Sequence, residues 1–369
     1  MPKPPFRADH VGSLIRPPEL IAAREEAESG GDRAQLERVQ QQAIRDVVAL
    51  QEELGLQLAT DGEYNRGAWH RDFLLRFANV KLIPSKISVR FHSADGTSER
   101  SPPSWQVVGP LARPKPIFVD DFRYLASVTR VTPKVTIPSP TVMHFRGGRD
   151  AIDRNAYPEL EAFYADLARV YAQEIEDLAA AGCRYLQLDE VNLAYLCDPQ
   201  LRAEVSNIGE DPASLPRTYA KLLNATLAGR PADMTVCMHL CRGNFAGAWV
   251  AEGGYEPVAE LLFNAIDVDG YFLEYDSERA GGFEPLRFLP KGKIAVLGLV
   301  TTKSAELESK DALKRRIDEA ARYAPLEQLA LSPQCGFESG VGGSTMTMAQ
   351  QAAKLRLIAE TARDVWGNA

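Results

Sequence analysis

Met234-Thr235-Val236-Cys237-Met238-His239-Leu240-Cys241 starts as a short apolar run and ends in soft, ionisable side chains. Five hydrophobic or β-branched residues in a row fit a buried strand. The pattern returns seven times, over residues 6–8, 57–60, 134–137, 184–188, 270–273, 294–300 and 328–331. With 234–238 that makes eight candidate strands, the first of them weak. Amphipathic segments at a spacing near 3.6 lie between most of them, over 34–54, 160–181, 215–227, 255–264, 310–323 and 348–365. Strand–helix alternation of this kind predicts βαβ units, a parallel sheet and, with eight strands, a closed (β/α)8 TIM barrel. The competing layout is a doubly wound sheet, which usually carries a Gly-rich phosphate turn after its first strand; no G-x-G-x-x-G occurs there.

One stretch breaks the rhythm. Residues 73–131 lose the helical period and carry prolines, charges and short alternating runs such as Lys86-Ile87-Ser88-Val89-Arg90-Phe91; Ser101-Pro102-Pro103-Ser104-Trp105 reads as a turn. The expectation is a single barrel over residues 1–369, with 73–131 inserted after the second strand near the barrel mouth.

The chain has 369 residues, 42 Lys plus Arg and 50 Asp plus Glu, a net charge of −8. That balance argues against a nucleic-acid platform, and 45 % hydrophobic content argues against disorder. The N-terminal residues lack an apolar export core, and no membrane-length apolar run appears. Five scattered cysteines (183, 197, 237, 241 and 335) do not read as a disulfide framework. A reducing cytoplasm is the expected compartment, with thiols free for metal or catalysis.

In such barrels the chemistry sits at the carboxyl ends of the strands. Those positions hold Asp9-His10 and Ser13, Asp61-Gly62-Glu63, Pro138-Ser139-Pro140, Asp189-Glu190, His239-Leu240-Cys241, Glu274-Tyr275-Asp276, Thr301-Thr302-Lys303 and Ser332-Pro333-Gln334-Cys335. His239 and Cys241 are two apart, so both point to one side of an extended strand. With Cys335 and Glu274 they supply two thiolates, an imidazole and a carboxylate, a set suited to tetrahedral zinc. The carboxylate is the ligand easiest to exchange, and a thiol entering there would lose its proton and become nucleophilic. Against this stands the ordinary reading of a buried cysteine as a small hydrophobe, which is kept for Cys183, Cys197 and Cys237. Glu63 and Asp189 can bind a substrate ammonium, and Ser13 a carboxylate. The equally weighted alternatives are a helix N-cap for Asp189 and a solvated loop charge for Glu63.

The same residues carry a resemblance. Phe6 to Ser13 with Arg16-Pro17, Thr60 to Glu63, Leu186 to Glu190, His239 to Cys241 with Asn244-Phe245, Glu274, and Ser332 to Gly336 together resemble the cobalamin-independent methionine synthase superfamily, in its short single-barrel branch. The resemblance implies a zinc-bearing barrel with His239, Cys241, Glu274 and Cys335 as ligands. It also implies homocysteine held by Glu63, Asp189 and Ser13, and methyl transfer from 5-methyltetrahydrofolate to its sulfur. Three departures bear on the donor. The second barrel of the full-length enzymes, which helps hold folate, is missing here; Lys303 stands where they carry a proton-relay histidine; and 73–131 reshapes the mouth. Lys303 or Arg242 can neutralise an anion, carboxylate or sulfonate.

The resulting expectation is a zinc-dependent S-methyltransferase acting on homocysteine. Asp189, Lys303 and His10 are its candidate catalytic residues, and Glu190 a further assistant. Trp69, Trp105 and Ser139 are placed at the donor site, with His70 as another stacking ring. Folate or a methyl-corrinoid protein is the expected donor, and a homo-oligomer the expected assembly, with neither nucleic acid nor membrane as partner. The alternatives are a zinc alkyltransferase or lyase on another thiol, as in the related epoxyalkane:coenzyme M transferase, and a non-catalytic zinc or amino-acid binder.

Overall fold

The computed structural model describes residues 3–93, 96–100 and 102–368, so Met1, Pro2 and Ser101 of the stretches above lie outside it. Six parallel strands form its spine, hydrogen-bonded in chain order: Val135–Pro138, Tyr185–Glu190, Thr235–Leu240, Gly270–Glu274, Ile294–Val300 and Leu329–Pro333. Each is apolar and fully or almost fully buried, as strands covered on both faces must be.

Both edges continue. Ala8 bridges parallel to Leu331, where Asp9 donates its N–H to the Leu331 carbonyl at 3.0 Å and Leu331 donates to Arg7 at 2.9 Å. At the other edge Leu58–Ala59 pairs in parallel with Thr132–Pro133, which leads straight into Val135–Pro138. The loops after the first and second strands then meet, Leu14 N–H donating to Gly62 at 3.0 Å.

The interior argues for closure. One buried cluster joins Phe6 and Val11, Leu58, Tyr185, Cys237, Phe272, Val296 and Ala330, side chains from seven of the eight strand regions. An open sheet cannot bring its first and last strands into one cluster with the middle ones, whereas a filled barrel does so by construction. Cys237 therefore sits deep in that interior, fully buried.

Helices enclose the strands. Arg33–Glu53, Leu160–Ala180, Leu215–Leu227, Glu256–Ala265, Lys310–Ala320 and Met348–Trp366 fall where the periodicity predicts them. The last has a capping box from Thr347 and Gln350 and ends on left-handed Gly367.

Within 73–131, Ala78–Ile83 pairs antiparallel with Ser104–Ala112, and Val89–Ser93 with Gly96–Arg100. The hairpin 89–100 adds onto a ribbon from the loop after the fifth barrel strand, with His92 opposite Trp249. The irregular part ends earlier than the sequence reading places it. Val119–Val128 is a helix of the barrel's outer ring, tied to its neighbours by Tyr124 Oη donating to the Gln41 carbonyl at 2.8 Å and Phe118 N–H donating to Glu174 at 2.8 Å. At ten residues, with no side-chain cap, it offers little periodic signal. Pro18–Glu28 and Pro199–Asn207 are further helices that the periodicity misses.

Candidate metal centre and substrate cavity

Strand geometry builds the centre. His239 lies near the end of its strand and Cys241 one residue past it, so alternation aims both at the barrel mouth. Glu274 ends the neighbouring strand, and Cys335 follows the eighth. One ligand atom from each of the four lies within 4.8 Å of all the others. The Cys241 and Cys335 sulfurs are 3.5 Å apart. A tetrahedron with bonds of about 2.0–2.3 Å places its ligands roughly 3.3–3.8 Å apart, so a small contraction suffices. Both ring nitrogens of His239 are buried with no oxygen or nitrogen partner, the Cys335 sulfur being their polar neighbour, a state that a metal bond would relieve. The donor set and its geometry fit zinc.

The thiols are unequal. Cys335 is brought down to about 5 by its contact with the Cys241 sulfur and by His239, against the opposing effect of burial. Cys241 is pushed up by the same contact and by burial. His239 is raised: burial opposes its charge, but contact with Cys335 and the carboxylates of Asp189 and Glu274 outweigh it. Glu274 stands behind the other three. Its Oε1 accepts the Arg242 N–H at 2.8 Å and its Oε2 accepts Arg279 Nη2 at 3.0 Å.

A cavity of about 410 Å³ opens above the cluster, with His239, Cys241 and Cys335 on its floor. Glu63, Asp189 and Ser13 line the same space. Asp189 is the register partner of His239 on the adjacent strand, which sets the carboxylate beside the cluster; Gln187 Nε2 donates to its Oδ1 at 2.7 Å. Glu63 comes from a turn in which it holds a φ of +62°, a left-handed conformation unusual for a side chain of its size. Thr136 Oγ1 donates to its Oε1 at 2.9 Å, while Oε2 is buried and unpartnered. Burial raises both carboxyls, and burial with the nearby Glu63 carboxylate takes Asp189 to about 7. The cavity wall thus carries two raised carboxyls, one with an unpartnered oxygen. Gly336 packs against Ser13, and a Cβ there would force the Ser13 hydroxyl to another rotamer.

Other expected site residues lie elsewhere. His10 is buried outside the cavity, its Nε2 donating to Gln51 Oε1 at 2.8 Å, toward the helix layer. Trp105 is fully buried behind His70, whose ring meets it edge-on, while the Trp69–His70 pair, stacked at 4.4 Å, reaches the cavity. Ser139 and Glu190 belong to a buried network: Thr141 Oγ1 donates to Glu190 Oε2 at 2.6 Å and shares a hydrogen bond of 3.2 Å with Ser139 Oγ. Lys303 sits behind Glu274, 3.9 Å from its Oε2 and 3.5 Å from Asp276 Oδ2, off the cavity wall. These four are polar residues at strand ends, but a strand end has a back as well as a front.

Arg279, Tyr195 and Arg146 are functional-site residues that the sequence reading misses. Arg279 and Tyr195 lie well past a strand end, and Arg146 follows a four-residue helix, so none stands at the end of an apolar run.

Fold and site together define a class: a parallel (β/α)8 barrel whose carboxyl rim joins a Cys-Cys-His-Glu cluster to a carboxylate pair. Within that class, the chain belongs to the cobalamin-independent synthase catalytic-domain family, whose model matches residues 7–363. This membership supports a methyltransferase. The chain is 43 % identical to the uncharacterized protein YxjH of Bacillus subtilis, over 99 % of this chain and 96 % of that one. It is 24 % identical to a Pyrococcus abyssi methionine synthase, over 80 % and 77 % of the two chains. A crystal structure from Listeria monocytogenes assigned to vitamin-B12 independent methionine synthase superposes with a TM-score of 0.79, at 35 % identity and 100 % coverage of both chains. No helix among the described residues is long and apolar enough to cross a membrane.

Proposed function

We propose that the protein is a zinc-dependent thiol S-methyltransferase that converts homocysteine to methionine. The observation that carries this reading is the convergence of His239, Cys241, Glu274 and Cys335 on one point of a cavity that also holds Glu63 and Asp189. Zinc held by those four residues supplies acidity to a thiol that joins it.

The chain's own groups do the rest. Glu63 and Asp189 take the substrate ammonium, which restores the charge that burial opposes, and Ser13 takes the carboxylate. The amino acid is thereby fixed with its sulfur toward the cysteines. Glu274 would hold the metal as the fourth residue of the set, and its two oxygens are also held by the Arg242 N–H and Arg279. The substrate sulfur bonds the methyl carbon as the methyl–donor bond breaks, the electron pair of that bond stays with the donor, and the thiol proton passes through solvent to that leaving group. The apolar upper cavity, with Trp69 stacked on His70, excludes water and receives the donor. The acid pair favours an amino-acid thiol over coenzyme M, which has no ammonium.

The test is metal analysis paired with methionine formation from homocysteine, using 5-methyltetrahydrofolate, methylcobalamin and a methylsulfonium salt as donors. About one zinc per chain and turnover with at least one donor are expected. A chain that binds no zinc, or that alkylates coenzyme M with an epoxide and leaves homocysteine untouched, overturns the reading.

A further inference from the structure

Arg146 directly follows the short helix Val142–Phe145 beyond the third barrel strand. It lines the cavity although only 7 % exposed. Its Nη1 donates to the Pro103 carbonyl at 3.1 Å, and its guanidinium lies beside the Tyr195 hydroxyl. Neither partner is an anion: Tyr195, buried, is pushed well above the usual phenol range. Among the described residues, no carboxylate forms an ion pair with Arg146. Several other buried cations have one: Arg16 with Glu338, Arg66 with Glu63, Arg279 with Glu274 and Asp276, Lys134 with Asp9. Arg242 also lacks one, but its guanidinium lies over the Tyr255 ring at 4.3 Å and away from the cavity, whereas Arg146 lines it.

A buried guanidinium without a counter-charge is costly. Burial accordingly lowers its hold on its proton. Facing a cavity, the missing anion can come from a ligand. The amino-acid substrate is not the natural source. Its carboxylate is one carbon from its ammonium, and the leading charges acting on Glu63 are Arg66, Arg16 and Asp61, those on Asp189 Glu63, His239 and Arg66, with Arg146 in neither set. Arg146 faces a different wall: Tyr195, Pro103 from the inserted segment, and His70, whose ring it keeps from protonating after burial has already done so. That wall continues into the rings of Trp69, Phe91 and Phe245.

We propose that Arg146 binds the acid group of the second substrate, so that the methyl donor is an organic carboxylate whose apolar part lies along the aromatic wall. The planar fork of a guanidinium suits a carboxylate. The word donor rests on the methyltransferase reading; the anion site rests on the cavity alone.

The test is calorimetric titration of the zinc-loaded protein, with homocysteine present, by acetate, methylthioacetate and benzoate, each beside its amide. Wild type is expected to bind at least one acid about tenfold tighter than its amide. Arg146→Gln is expected to erase that preference while homocysteine affinity stays within about twofold, and Arg146→Lys, which keeps the charge but loses the fork, to retain part of it. If no acid is preferred by wild type, or if Arg146→Gln weakens homocysteine and leaves the preference intact, the proposal is overturned. The wild-type comparison stands even if a variant does not fold. Failure to bind homocysteine, with the acid preference intact and Arg146-dependent, would remove the methyltransferase reading and leave the anion site in place.

Discussion

The sulfurs of Cys241 and Cys335 lie 3.5 Å apart although 94 residues separate them. The fifth and eighth barrel strands bring them together, and the contact leaves Cys335 with a thiol near 5 and Cys241 with one well above normal. Replacing either by serine removes a soft donor and leaves the other with no role. Cys335→Ser and Cys241→Ser are expected to weaken zinc more than removal of a partner outside the ligand set does, so by roughly a hundredfold or more. Competition with a chromophoric chelator measures this, and zinc affinity within a few-fold of wild type would exclude the assigned ligands.

Arg279 Nη2 serves two carboxylates, Glu274 Oε2 at 3.0 Å and Asp276 Oδ1 at 2.7 Å, both buried. Arg279→Met strands them, with Lys303 and Arg242 as the remaining nearby cations. The metal-free variant is expected to lose about 3 kcal/mol of stability. Zinc supplies positive charge to the same carboxylate, so loading should recover part of the loss. Calorimetry of apo and loaded protein should therefore find a wider gap between their melting temperatures in the variant than in wild type; equal gaps would show that Arg279 does not compensate Glu274.

Much of this was legible in the sequence because barrel strands are fully buried and write themselves as apolar runs. His239, Cys241, Glu274 and Cys335 were readable for the same reason, since each stands at or just past the end of such a run. What was not readable is direction. His10, Ser139 and Lys303 also stand at strand ends, but their side chains turn to the helix layer, a buried network and the back of Glu274. One-dimensional spacing assigns a residue to an end of the barrel, not to the front of it. Trp105 lay in a stretch without periodicity, and there burial by neighbours from distant segments decides the outcome. Arg146 was missed because its significance is the lack of an anion beside it, which only a three-dimensional neighbourhood reveals.

Glu63 combines a left-handed backbone with a half-satisfied carboxylate. The two properties can be separated. Glu63→Ala and Glu63→Gly both delete the carboxylate, and each is expected to weaken homocysteine by roughly 10- to 100-fold, the worth of a charged hydrogen bond. Only glycine adopts the φ of +62° without penalty, so Glu63→Gly should be about 1 kcal/mol more stable than Glu63→Ala. Denaturant titration of the pair tests this. Equal stabilities would mean that the turn relaxes, and unchanged homocysteine affinity would remove Glu63 from the substrate site.

His10 supplies a pH prediction. Its imidazole is held near 4, first by burial and then by the Lys134 charge, which outweigh Asp9 and the hydrogen bond to Gln51. In the unfolded chain it titrates near 6.5. Between those values the unfolded state binds the extra proton, so this group makes stability fall as pH drops from about 6.5 to about 4 and leaves it unchanged above. The depression of the imidazole corresponds to a loss of roughly 3 kcal/mol across that window. The ring is thus neutral at working pH and walled off from the cavity, which fits a structural post joining the first strand to Gln51 of helix Arg33–Glu53 rather than a proton carrier. His10→Gln is expected to lower stability at pH 8 by about 1 kcal/mol or more through the altered hydrogen bond, and to flatten the decline between pH 6.5 and pH 4. Urea unfolding of both proteins at pH 8, 6 and 5 measures the difference. An acid limb of equal slope in the variant would mean that other groups cause it, and a change in the pH profile of turnover without a change in stability would return His10 to the chemistry.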